Sequence, residues 1–349
     1  MNTPLTVAIN GMGRIGRNVL RAFLEYRADY PDIRLVAIND IACPDTMLHL
    51  LKFDSAHGRL SALGIDAALK RTEDRTLLHL TSAKGSLALV CLQEPNPQHL
   101  PWHKMGVDVV LECTGHFRSY DAACLHRTAG AKQVIIGAAP FDTVDASIVM
   151  GVNDHHLNKN LPIISGVSCT TQALVPLLWH LENNFGVKSA MLTEIHAVTA
   201  DQTVLDAAHR DLRRARASGH NIIPTTSSSI AATERVLPNL TGKLAGHSIR
   251  VPTITVAAID VTVILENDIS ATTLKDSLRH SASTTLKGIM DYTDEPLVSS
   301  DFIHNRHSLI IDGEQTMQSQ SQHKLFAWYD NEWGYANRLL DMCQKLAES

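Results

Sequence analysis

Apolar residues along the first half of the chain alternate between short strand-like runs and stretches with helical spacing. Strands are predicted at residues 5–10, 34–38, 108–111 and 133–136. Helices are predicted at residues 14–23, where Ile15, Val19 and Phe23 share one face, and at residues 122–128. Strands that alternate with helices indicate an α/β fold built on a parallel, doubly wound sheet.

A different pattern begins near Cys169. A helix is predicted at residues 172–184, where four leucines recur at helical spacing. A long strand is predicted at residues 251–264, because β-branched residues and period-two alternation run through it; such a strand suits a mixed or antiparallel sheet with one covered face. The tail is predicted as a helix from one apolar stripe, formed by Ala336, Leu339, Leu340, Cys343 and Leu346.

The composition disfavours several classes of protein. Of 349 residues, 44% are hydrophobic and 19% are charged, which is typical of about two folded domains and not of a disordered chain. The net charge of −5 disfavours a nucleic-acid partner, since such binders neutralise phosphates with basic groups. No apolar run reaches the ~20 residues of a membrane helix, and the first residues lack a secretory signal, so we expect no membrane partner.

The six cysteines carry no C-x-x-C pair. The spacing therefore predicts neither a zinc site nor a dithiol redox site, and no metal is expected. A chain of this length without an export signal is expected to keep free thiols and to be cytoplasmic.

A glycine-rich turn lies between the first predicted strand and the first predicted helix. Residues 11–16 read GMGRIG, a G-x-G-x-x-G motif. Its glycines allow the backbone to approach a pyrophosphate, and the helix N-terminus offers free N–H groups. Asp40, at the end of the second strand, can bond a ribose 2′-hydroxyl and would repel a 2′-phosphate. The motif predicts an NAD site rather than an NADP site; the alternative is a glycine turn that holds no ligand.

Cys169 lies where a strand predicted at residues 162–164 gives way to a helix. The dipole of a helix N-terminus lowers the pKa of a thiol, and a nearby histidine can take the proton. His196, at the end of the alternating segment 190–195, is one candidate among 18 histidines. A lone cysteine or histidine is more often a structural residue than a catalytic one. The residues by themselves leave both interpretations open.

Basic and hydroxyl groups follow the thiol. Four arginines between residues 210 and 216 are typical of a solvated, salt-bridged face. Arg250 precedes the predicted long strand and is expected to be held more rigidly, and Ser227, Ser228 and Ser229 can donate to an anion. Together with an NAD site and a thiol, these groups indicate the oxidation of an aldehyde that carries a phosphate.

Five motifs follow one another along the chain. They are AINGMGRIGR at residues 8–17, SCTT at 168–171, DLRR at 211–214, RVPT at 250–253 and WYDNEWG at 328–334. Together they resemble the phosphorylating glyceraldehyde-3-phosphate dehydrogenase family over nearly the whole chain. The resemblance implies a Rossmann NAD domain over residues 1–168, completed by a C-terminal helix at 335–349. It also implies an α+β catalytic domain over residues 169–334 and a homotetramer.

Carried over by position, the resemblance implies that Cys169 is the nucleophile and that His196 is the base that activates it. The sulfur adds to the aldehyde, oxidation leaves a thioester, and phosphate or water releases the acid. The implied cofactor contacts are Gly11, Gly13, Arg14, Ile15, Gly16, Asp40, Asn331 and Tyr335. The implied contacts of the substrate phosphate are Thr199, Arg214 and Arg250, and those of an attacking phosphate are Ser168, Thr170, Ser227 and Ser228.

Two branches of this family are represented in the chain. The segments at residues 100–102, 211–214, 253–260 and 312–316 look closer to the erythrose-4-phosphate dehydrogenase branch, whereas Thr199 and residues 224–226 look closer to the glyceraldehyde-3-phosphate branch. We expect a small-molecule sugar phosphate as substrate, namely D-erythrose 4-phosphate, oxidised by NAD to 4-phosphoerythronate with hydrolysis of the thioester. The alternatives are a phosphorylating glyceraldehyde-3-phosphate dehydrogenase and a catalytically silent binding homologue.

The chain also departs from the usual family pattern. Gly166 and Val167 precede the serine–cysteine pair, Gln172 follows the two threonines, and Ser228 replaces a glycine of the glycolytic enzymes. On the cofactor side the departures are Pro95, Arg118 and Gly137. They leave the two implied catalytic residues intact but bear on cofactor affinity and on the fate of the thioester.

Overall fold

The structure, a computed structural model, describes residues 3–349, and the chain divides into two compact units. Unit 1 comprises Met1–Ile148, Asp154–Val167 and Ala336–Ser349; unit 2 comprises Val149–Asn153 and Ser168–Tyr335. Within residues 3–349, no helix has the length and apolar character that crossing a membrane requires. No cluster of three or more His, Cys, Asp or Glu residues in the same range is placed to hold a metal ion.

Unit 1 is built on a twisted sheet with helices packed on it. Its strands are β1 (Leu5–Asn10), β2 (Ile33–Asn39), β3 (Phe53–Asp54), β4 (Gly58–Arg59), β5 (Asp66–Arg71), β6 (Thr76–Ser82), β7 (Gly85–Leu92), β8 (Val109–Glu112), β9 (Gln133–Ile136), β10 (Ala146–Ser147) and β11 (Ile163–Ser165). Its helices are α1 (Arg14–Glu25), α2 (Pro44–Lys52), α3 (Trp102–Met105) and α4 (Tyr120–Thr128).

Nine strands of unit 1 form one sheet in the order β10-β11-β9-β8-β1-β2-β7-β6-β5, and β3 pairs with β4 apart from it. All pairs from β10 to β7 are parallel, which confirms the predicted doubly wound sheet. The hairpins β7-β6 and β6-β5 are antiparallel, and the sequence pattern did not reveal them. β5 and β6 are interrupted by polar residues and lack the continuous apolar run of a buried parallel strand, and most residues of β5, β6 and β7 are at least partly exposed.

A buried polar network joins the carboxyl ends of β1, β2 and β8. Asn39 Nδ2 donates to Asn10 Oδ1 at 2.7 Å, and Asn10 Nδ2 donates to Glu112 Oε2 at 2.5 Å. Trp102 Nε1 donates to His126 Nδ1 at 3.0 Å, so the ring proton lies on His126 Nε2 and faces Glu112 Oε2 at 3.0 Å. A buried network whose members satisfy one another is rigid, and it fixes the strand ends beside the glycine turn.

Unit 2 contains a second sheet with its own helices. Its strands are β12 (Val187–Ala197), β13 (Ile223–Thr225), β14 (Leu244–Val251), β15 (Ala257–Leu265), β16 (Met290–Thr293), β17 (Leu309–Ser319) and β18 (Gln322–Tyr329). Its helices are α5 (Cys169–Phe185), α6 (Ser229–Val236) and α7 (Ala271–Ser283). The last helix, α8 (Trp333–Glu348), belongs to unit 1 from Ala336 onward.

The sheet of unit 2 has the order β13-β14-β12-β15-β18-β17-β16. The β12–β14 and β16–β17 pairs are parallel and the other pairs are antiparallel, so the predicted mixed sheet is confirmed. Helix α5 packs on β12 and β15 and buries its leucines in the core of the unit. One covered face and one more exposed face explain the alternation along β12.

The single long strand predicted at residues 251–264 is wrong. β14 ends at Val251 and β15 begins at Ala257, in different positions of the sheet. Pro252 has no backbone N–H with which to continue the ladder, and Val256 adopts a φ of 69°, outside the strand region. Both breaks fall inside an apolar, β-branched run, which is why the pattern concealed them.

The glycine turn of unit 1 gives a matched pair of variants. A Cβ at Gly16 would overlap the carbonyl oxygen of Gly11, whereas a Cβ at Gly13 would meet no atom within 4 Å. We expect Gly16→Ala to lower the free energy of unfolding by about 1–3 kcal/mol, the usual effect of overpacking. Gly13→Ala should cost less than about 1 kcal/mol, the scale of an unfavourable N-cap residue. Urea unfolding followed by circular dichroism measures both, and equal losses would contradict the close approach at Gly16.

Candidate active site

The glycine motif forms the turn between β1 and α1. Gly11 follows β1 with a φ of +94°, and Gly13 is the N-cap of α1. Gly16 packs directly on the Gly11 carbonyl, while the space beside Gly13 is open. The first turn of α1, which includes Arg14 and Ile15, contains no acidic residue. This open helix N-terminus fits the pyrophosphate of a dinucleotide.

Asp40 lies against the same turn, directly after β2. Its Oδ2 accepts a hydrogen bond from the Met12 backbone N–H at 2.6 Å, and its Oδ1 accepts one from the Ala42 backbone N–H at 2.9 Å. Each carboxylate oxygen can accept a further hydrogen bond. Asp40 therefore fits a ribose diol, whose hydroxyls donate, and opposes a 2′-phosphate by charge.

The Arg14 side chain is engaged within unit 1. Its Nη1 donates to Asp54 Oδ2 at 2.5 Å. Burial raises the pKa of the Asp54 carboxyl, but the His57 backbone N–H and the Arg14 guanidinium outweigh burial and bring that pKa down to about 2. This pair ties the first turn of α1 to the segment that carries Asp54.

The candidate nucleophile, Cys169, is the first residue of α5, as its predicted position at a helix start requires. Ser168 caps the helix, because its Oγ accepts a hydrogen bond from the Thr171 backbone N–H at 3.0 Å. The preceding residue, Val167, is buried and has a φ of 52°. A β-branched residue in this region stores about 1–3 kcal/mol of backbone strain. The entry into α5 is thus held in one unusual conformation.

His196 faces Cys169 from β12. The distance between Cys169 Sγ and His196 Nε2 is 3.5 Å, and His196 is only 3% exposed. His196 Nδ1 lies 2.7 Å from the Ala197 carbonyl oxygen, which can only accept. The ring proton therefore lies on Nδ1, and Nε2 is free to accept the thiol proton.

Burial determines the charge state of this pair. Burial raises the pKa of the Cys169 thiol to about 12, and the Glu194 carboxylate adds to the rise, against Arg250. Burial also lowers the pKa of His196 to about 4, and Arg250 adds to that fall, against Glu194. Burial therefore opposes the lowering of the thiol pKa that a helix N-terminus is expected to produce. The pair rests as a thiol and a neutral imidazole, and the imidazole can take the proton as the sulfur attacks.

Arg250 is the neighbour of His196 in the sheet. The parallel β12–β14 pair sets His196 opposite Arg250, and the β13–β14 pair sets Arg250 opposite Ile223. Arg250 Nε is buried and has no hydrogen-bond partner among residues 3–349. A guanidinium with an unsatisfied donor beside the thiol–imidazole pair fits a bound phosphate.

The other two candidate contacts of the substrate phosphate lie in the loop after β12. The Thr199 backbone N–H and Oγ1 both donate to Gln202 Oε1, at 2.8 and 3.1 Å. Arg214 Nε donates to Thr225 Oγ1 at 2.9 Å, and its Nη1 pairs with Asp201. A phosphate that binds Arg214 has to compete with Asp201.

The candidate contacts of an attacking phosphate, apart from the capping serine, have different environments. Thr170 Oγ1 donates to Glu194 Oε1 at 2.6 Å. Ser227 Oγ donates to Ser229 Oγ at 2.9 Å. Ser228 is the N-cap of α6, and its side chain makes no capping hydrogen bond. The Thr170 hydroxyl is therefore already directed at a carboxylate.

Asn331 and Tyr335, the remaining implied cofactor contacts, lie at the end of unit 2 and are 5% and 4% exposed. Thr255 Oγ1 lies 3.3 Å from Asp330 Oδ1 and 3.4 Å from Asn331 Oδ1, and its one proton is placed between these two acceptors. The neighbouring Asp330 Oδ1 accepts from the Trp333 backbone N–H at 2.9 Å, at the start of α8. The segment that carries Asn331 is thus held by its own polar contacts.

Two buried polar residues of the site were missed by the sequence analysis, Glu194 and Tyr329. The Tyr329 hydroxyl lies 2.7 Å from the Oγ1 of Thr170. Glu194 lies two residues before His196, on the face of β12 that buries apolar residues at positions 190 and 192. An acid at a core position of an alternating strand, next to a candidate base, is the signal that could have revealed it.

Arg118 and Gly137, which depart from the usual family pattern on the cofactor side, pack within unit 1. Arg118 Nε donates to the Ala139 carbonyl oxygen at 2.8 Å, and its guanidinium lies 4.1 Å from the centroid of the Phe141 ring. A Cβ at Gly137 would lie 3.3 Å from Cys113 Sγ, so a larger residue would be crowded there. Arg118 therefore has local partners in unit 1, and the space beside Gly137 suits a residue without a side chain.

Gly166 and Gln172, which depart from the family pattern close to Cys169 in the sequence, also have local hydrogen-bond partners. The Gly166 N–H donates to the Ile136 carbonyl oxygen at 3.0 Å, which extends the β9 pairing by one residue. Gln172 Oε1 accepts a hydrogen bond from the Met150 N–H at 3.2 Å. Nothing in the structure explains Pro95.

Comparison with known proteins agrees with this geometry. Residues 5–120 match the glyceraldehyde 3-phosphate dehydrogenase NAD binding domain, and residues 168–331 match the C-terminal domain of the same enzyme. The chain is 42% identical over 344 residues to glyceraldehyde-3-phosphate dehydrogenase 2 of Bacillus subtilis (strain 168), covering 98% of this chain and 96% of that protein. The chain therefore belongs to the glyceraldehyde-3-phosphate dehydrogenase family and is an NAD-dependent oxidoreductase of a phosphorylated aldehyde.

Proposed function

We propose that this enzyme oxidises D-erythrose 4-phosphate to 4-phosphoerythronate through a thioester on Cys169. The observation that carries the chemistry is the 3.5 Å approach of Cys169 Sγ to an imidazole nitrogen that is free to accept its proton. Arg250, opposite that imidazole in the next strand, supplies a cation for the phosphate of the substrate. Thiol, base and anion site are then within one unit of the fold.

Acylation begins with proton transfer. The Cys169 thiol gives its proton to His196 Nε2 while the sulfur adds to the aldehyde carbon. His196 returns that proton to the oxygen of the hemithioacetal and removes it again as the carbonyl of the thioester forms. Arg250, with Thr199 and Arg214, holds the substrate phosphate and so fixes the aldehyde carbon near the sulfur.

NAD, when bound, supplies the oxidising power by accepting a hydride. We propose that it is held by the glycine turn of unit 1 and by Asp40, with Asn331 and Tyr335 as further contacts carried over from the family. We accordingly assign residues 1–168 with 335–349 to cofactor binding and residues 169–334 to catalysis.

Four segments support erythrose 4-phosphate over glyceraldehyde 3-phosphate, because they look closer to the erythrose-4-phosphate dehydrogenase branch of the family. They lie at residues 100–102, 211–214, 253–260 and 312–316. We further propose that water, not phosphate, releases the acid. Ser228 supports this, because its side chain projects from the N-cap of α6 at a position where the glycolytic enzymes have glycine. A side chain there reduces the room for a second anion.

A second candidate is a phosphorylating glyceraldehyde-3-phosphate dehydrogenase. It is favoured by the name of the Bacillus subtilis relative, which is 42% identical, and by Thr199 and residues 224–226. In that case the hydroxyls of Ser168, Thr170 and Ser227 donate to inorganic phosphate as it attacks the thioester.

We also propose a cytoplasmic homotetramer, as the family resemblance implies. Three apolar residues of the loop after β12 support an association of subunits: Val204, Leu205 and Leu212 are 80%, 72% and 83% exposed. Large apolar side chains grouped on one surface loop commonly mark an interface between proteins. Sedimentation equilibrium distinguishes a tetramer from smaller species.

The nucleophile and its base are tested by substitution. Cys169→Ser should retain NAD binding and lose turnover, because a serine hydroxyl is a poor nucleophile. His196→Asn should reduce kcat by about 10²–10⁴-fold, the scale of a positioned base. NADH absorbance measures both, and near wild-type turnover by Cys169→Ser would disprove the mechanism.

The pH profile of alkylation separates the base from a structural histidine. The pKa of His196 is lowered to about 4, so the imidazole stays neutral and accepting above that pH and loses this ability as the pH falls through 4. Wild-type alkylation of Cys169 should therefore vary little between about pH 6 and 9. In His196→Asn the reaction depends on free thiolate, whose pKa is about 12, and should rise about tenfold per pH unit. The exposed Cys43 is replaced by serine in both proteins, and identical profiles would count against the pairing.

The cofactor preference is tested at Asp40. Asp40→Ala should weaken the binding of NAD by about 10–100-fold, the scale of hydrogen bonds to a charged group. It should also reduce the preference of the enzyme for NAD over NADP. Asp74→Ala, at an exposed aspartate of the same unit, is the matched control and should leave kcat/KM unchanged for both cofactors. The ratio of kcat/KM for the two cofactors is the measurement, and efficient use of NADP by the natural protein would contradict the role of Asp40.

The substrate is tested by NADH formation from erythrose 4-phosphate and from glyceraldehyde 3-phosphate, each with and without inorganic phosphate. We expect faster turnover of erythrose 4-phosphate and little dependence on phosphate. If turnover requires phosphate and glyceraldehyde 3-phosphate is clearly the better substrate, the second candidate replaces the first.

A further inference from the structure

A buried carboxylate lies where the family resemblance implies the binding of an attacking phosphate. Glu194 is 3% exposed and accepts a hydrogen bond from Thr170 Oγ1 at 2.6 Å. Its Oε1 is 3.9 Å from His196 Nε2, the nitrogen that faces the thiol. A carboxylate buried beside the reacting groups is costly to the fold unless its charge is compensated.

The hydroxyl groups around Glu194 are oriented towards it. Thr170 Oγ1 gives its single proton to Glu194, so the Tyr329 hydroxyl, 2.7 Å away, must donate to Thr170. Thr170 is thereby prevented from donating to a phosphate. Ser227, another implied phosphate contact, lies 2.9 Å from Ser229 Oγ, and a hydrogen bond between its side chain and Glu194 contributes to the lowered pKa of that carboxyl.

Three buried polar atoms around Glu194 have no hydrogen-bond partner among residues 3–349, which indicates a binding position for a small polar molecule. Glu194 Oε2 is buried and accepts no hydrogen bond from the described part of the chain. Ser248 is paired with Glu194 across β12 and β14, and Ser248 Oγ and Arg250 Nε are also buried without partners within residues 3–349. Buried polar atoms in this state are ordinarily satisfied by water or by a ligand.

The charges around Glu194 keep it ionised. Burial raises its pKa, but His196 when it is protonated, Arg250 on β14, and hydrogen bonds from Ser227 and Thr170 outweigh burial and hold the pKa below its usual value. The other titratable groups that face it, Cys169 on α5 and Tyr329 on β18, are neutral at physiological pH because burial raises both of their pKa values. A phosphate ion at this position would meet an anion of the same sign.

We propose that Glu194 excludes phosphate from the site beside Cys169 and acts as the base that deprotonates the water resolving the thioester. This assignment rests on the proposed thioester chemistry and explains why water replaces phosphate in it. The water gives one proton to Glu194, and its oxygen forms a bond to the acyl carbon. The carbon–sulfur bond then breaks, and the departing Cys169 sulfur takes the proton that His196 has held since acylation. The carboxylic acid product and Glu194 release their protons to solvent.

The experiment isolates deacylation from the sugar and from the cofactor. p-Nitrophenyl acetate acylates Cys169, and the burst of p-nitrophenolate reports that step; the subsequent steady rate reports hydrolysis of the acyl-enzyme. Glu194→Gln preserves the shape of the side chain but removes its charge and basicity. Glu266→Gln, at an exposed acid of unit 2, is the matched control.

We expect Glu194→Gln to retain the burst amplitude of the wild type and its steady rate to fall by about 10²–10⁴-fold, as for loss of a general base. Inorganic phosphate should leave the wild-type rate unchanged and should accelerate the variant. The wild-type steady rate should fall at acid pH, as Glu194 is protonated, and this limb should disappear in Glu194→Gln.

The outcomes that overturn the proposal are distinct from those that overturn the proposed function. Unchanged hydrolysis by Glu194→Gln, or acceleration of the wild type by phosphate, would remove Glu194 from this role while leaving the thioester intact. Absence of a wild-type burst would contradict the thioester chemistry itself. A reduced burst in Glu194→Gln would show that Glu194 serves acylation through His196 and would equally overturn the proposal.

Discussion

The chemistry of unit 2 depends on the register of β12. Side chains of a strand alternate between its two faces, so His196, Glu194 and the core residues Ala190 and Leu192 all point to the face covered by α5. The strand is held on both sides, by β14 and β15, over nearly its whole length. A slip of one residue would move the base away from the thiol and bury the opposite set of side chains. The packing of the core therefore also aligns the proposed catalytic groups.

Burial then controls how this site reacts. Taking the thiol and the imidazole out of water disfavours a resting ion pair, which favours proton transfer during the proposed attack of the sulfur. Arg250 and Glu194 act on the pair with opposite signs, and each lacks a hydrogen-bond partner at one buried atom within the described chain. The site is thus polarised and incompletely satisfied, a state expected where a charged substrate and a water molecule complete it.

In unit 1, close packing of the backbone holds the groups of the dinucleotide site in place. The contact of Gly16 with the Gly11 carbonyl brings α1 against the end of β1, and its open first turn then faces outward beside Gly13. Asp40 is fixed in the same place by two backbone N–H groups. The buried network around Glu112 stiffens the strand ends from which this turn departs. Fixed N–H groups and a fixed carboxylate need little reorganisation when a dinucleotide binds.

The sequence by itself determined the features that depend on local pattern: the parallel core of unit 1, the helix that begins at Cys169, the glycine turn and the family. These follow from periodicity and from motifs read over a few adjacent residues. It could not reveal the break between β14 and β15, because Pro252 and the left-handed Val256 lie within one apolar run. The residues by themselves left His196 as one candidate among 18 histidines, and the family resemblance selected it. Only the tertiary structure shows its 3.5 Å approach to a sulfur on another element, which is the geometry that a base requires. It also decided that Glu194 is buried and that the thiol pKa is raised, since both depend on how much water the surrounding elements exclude.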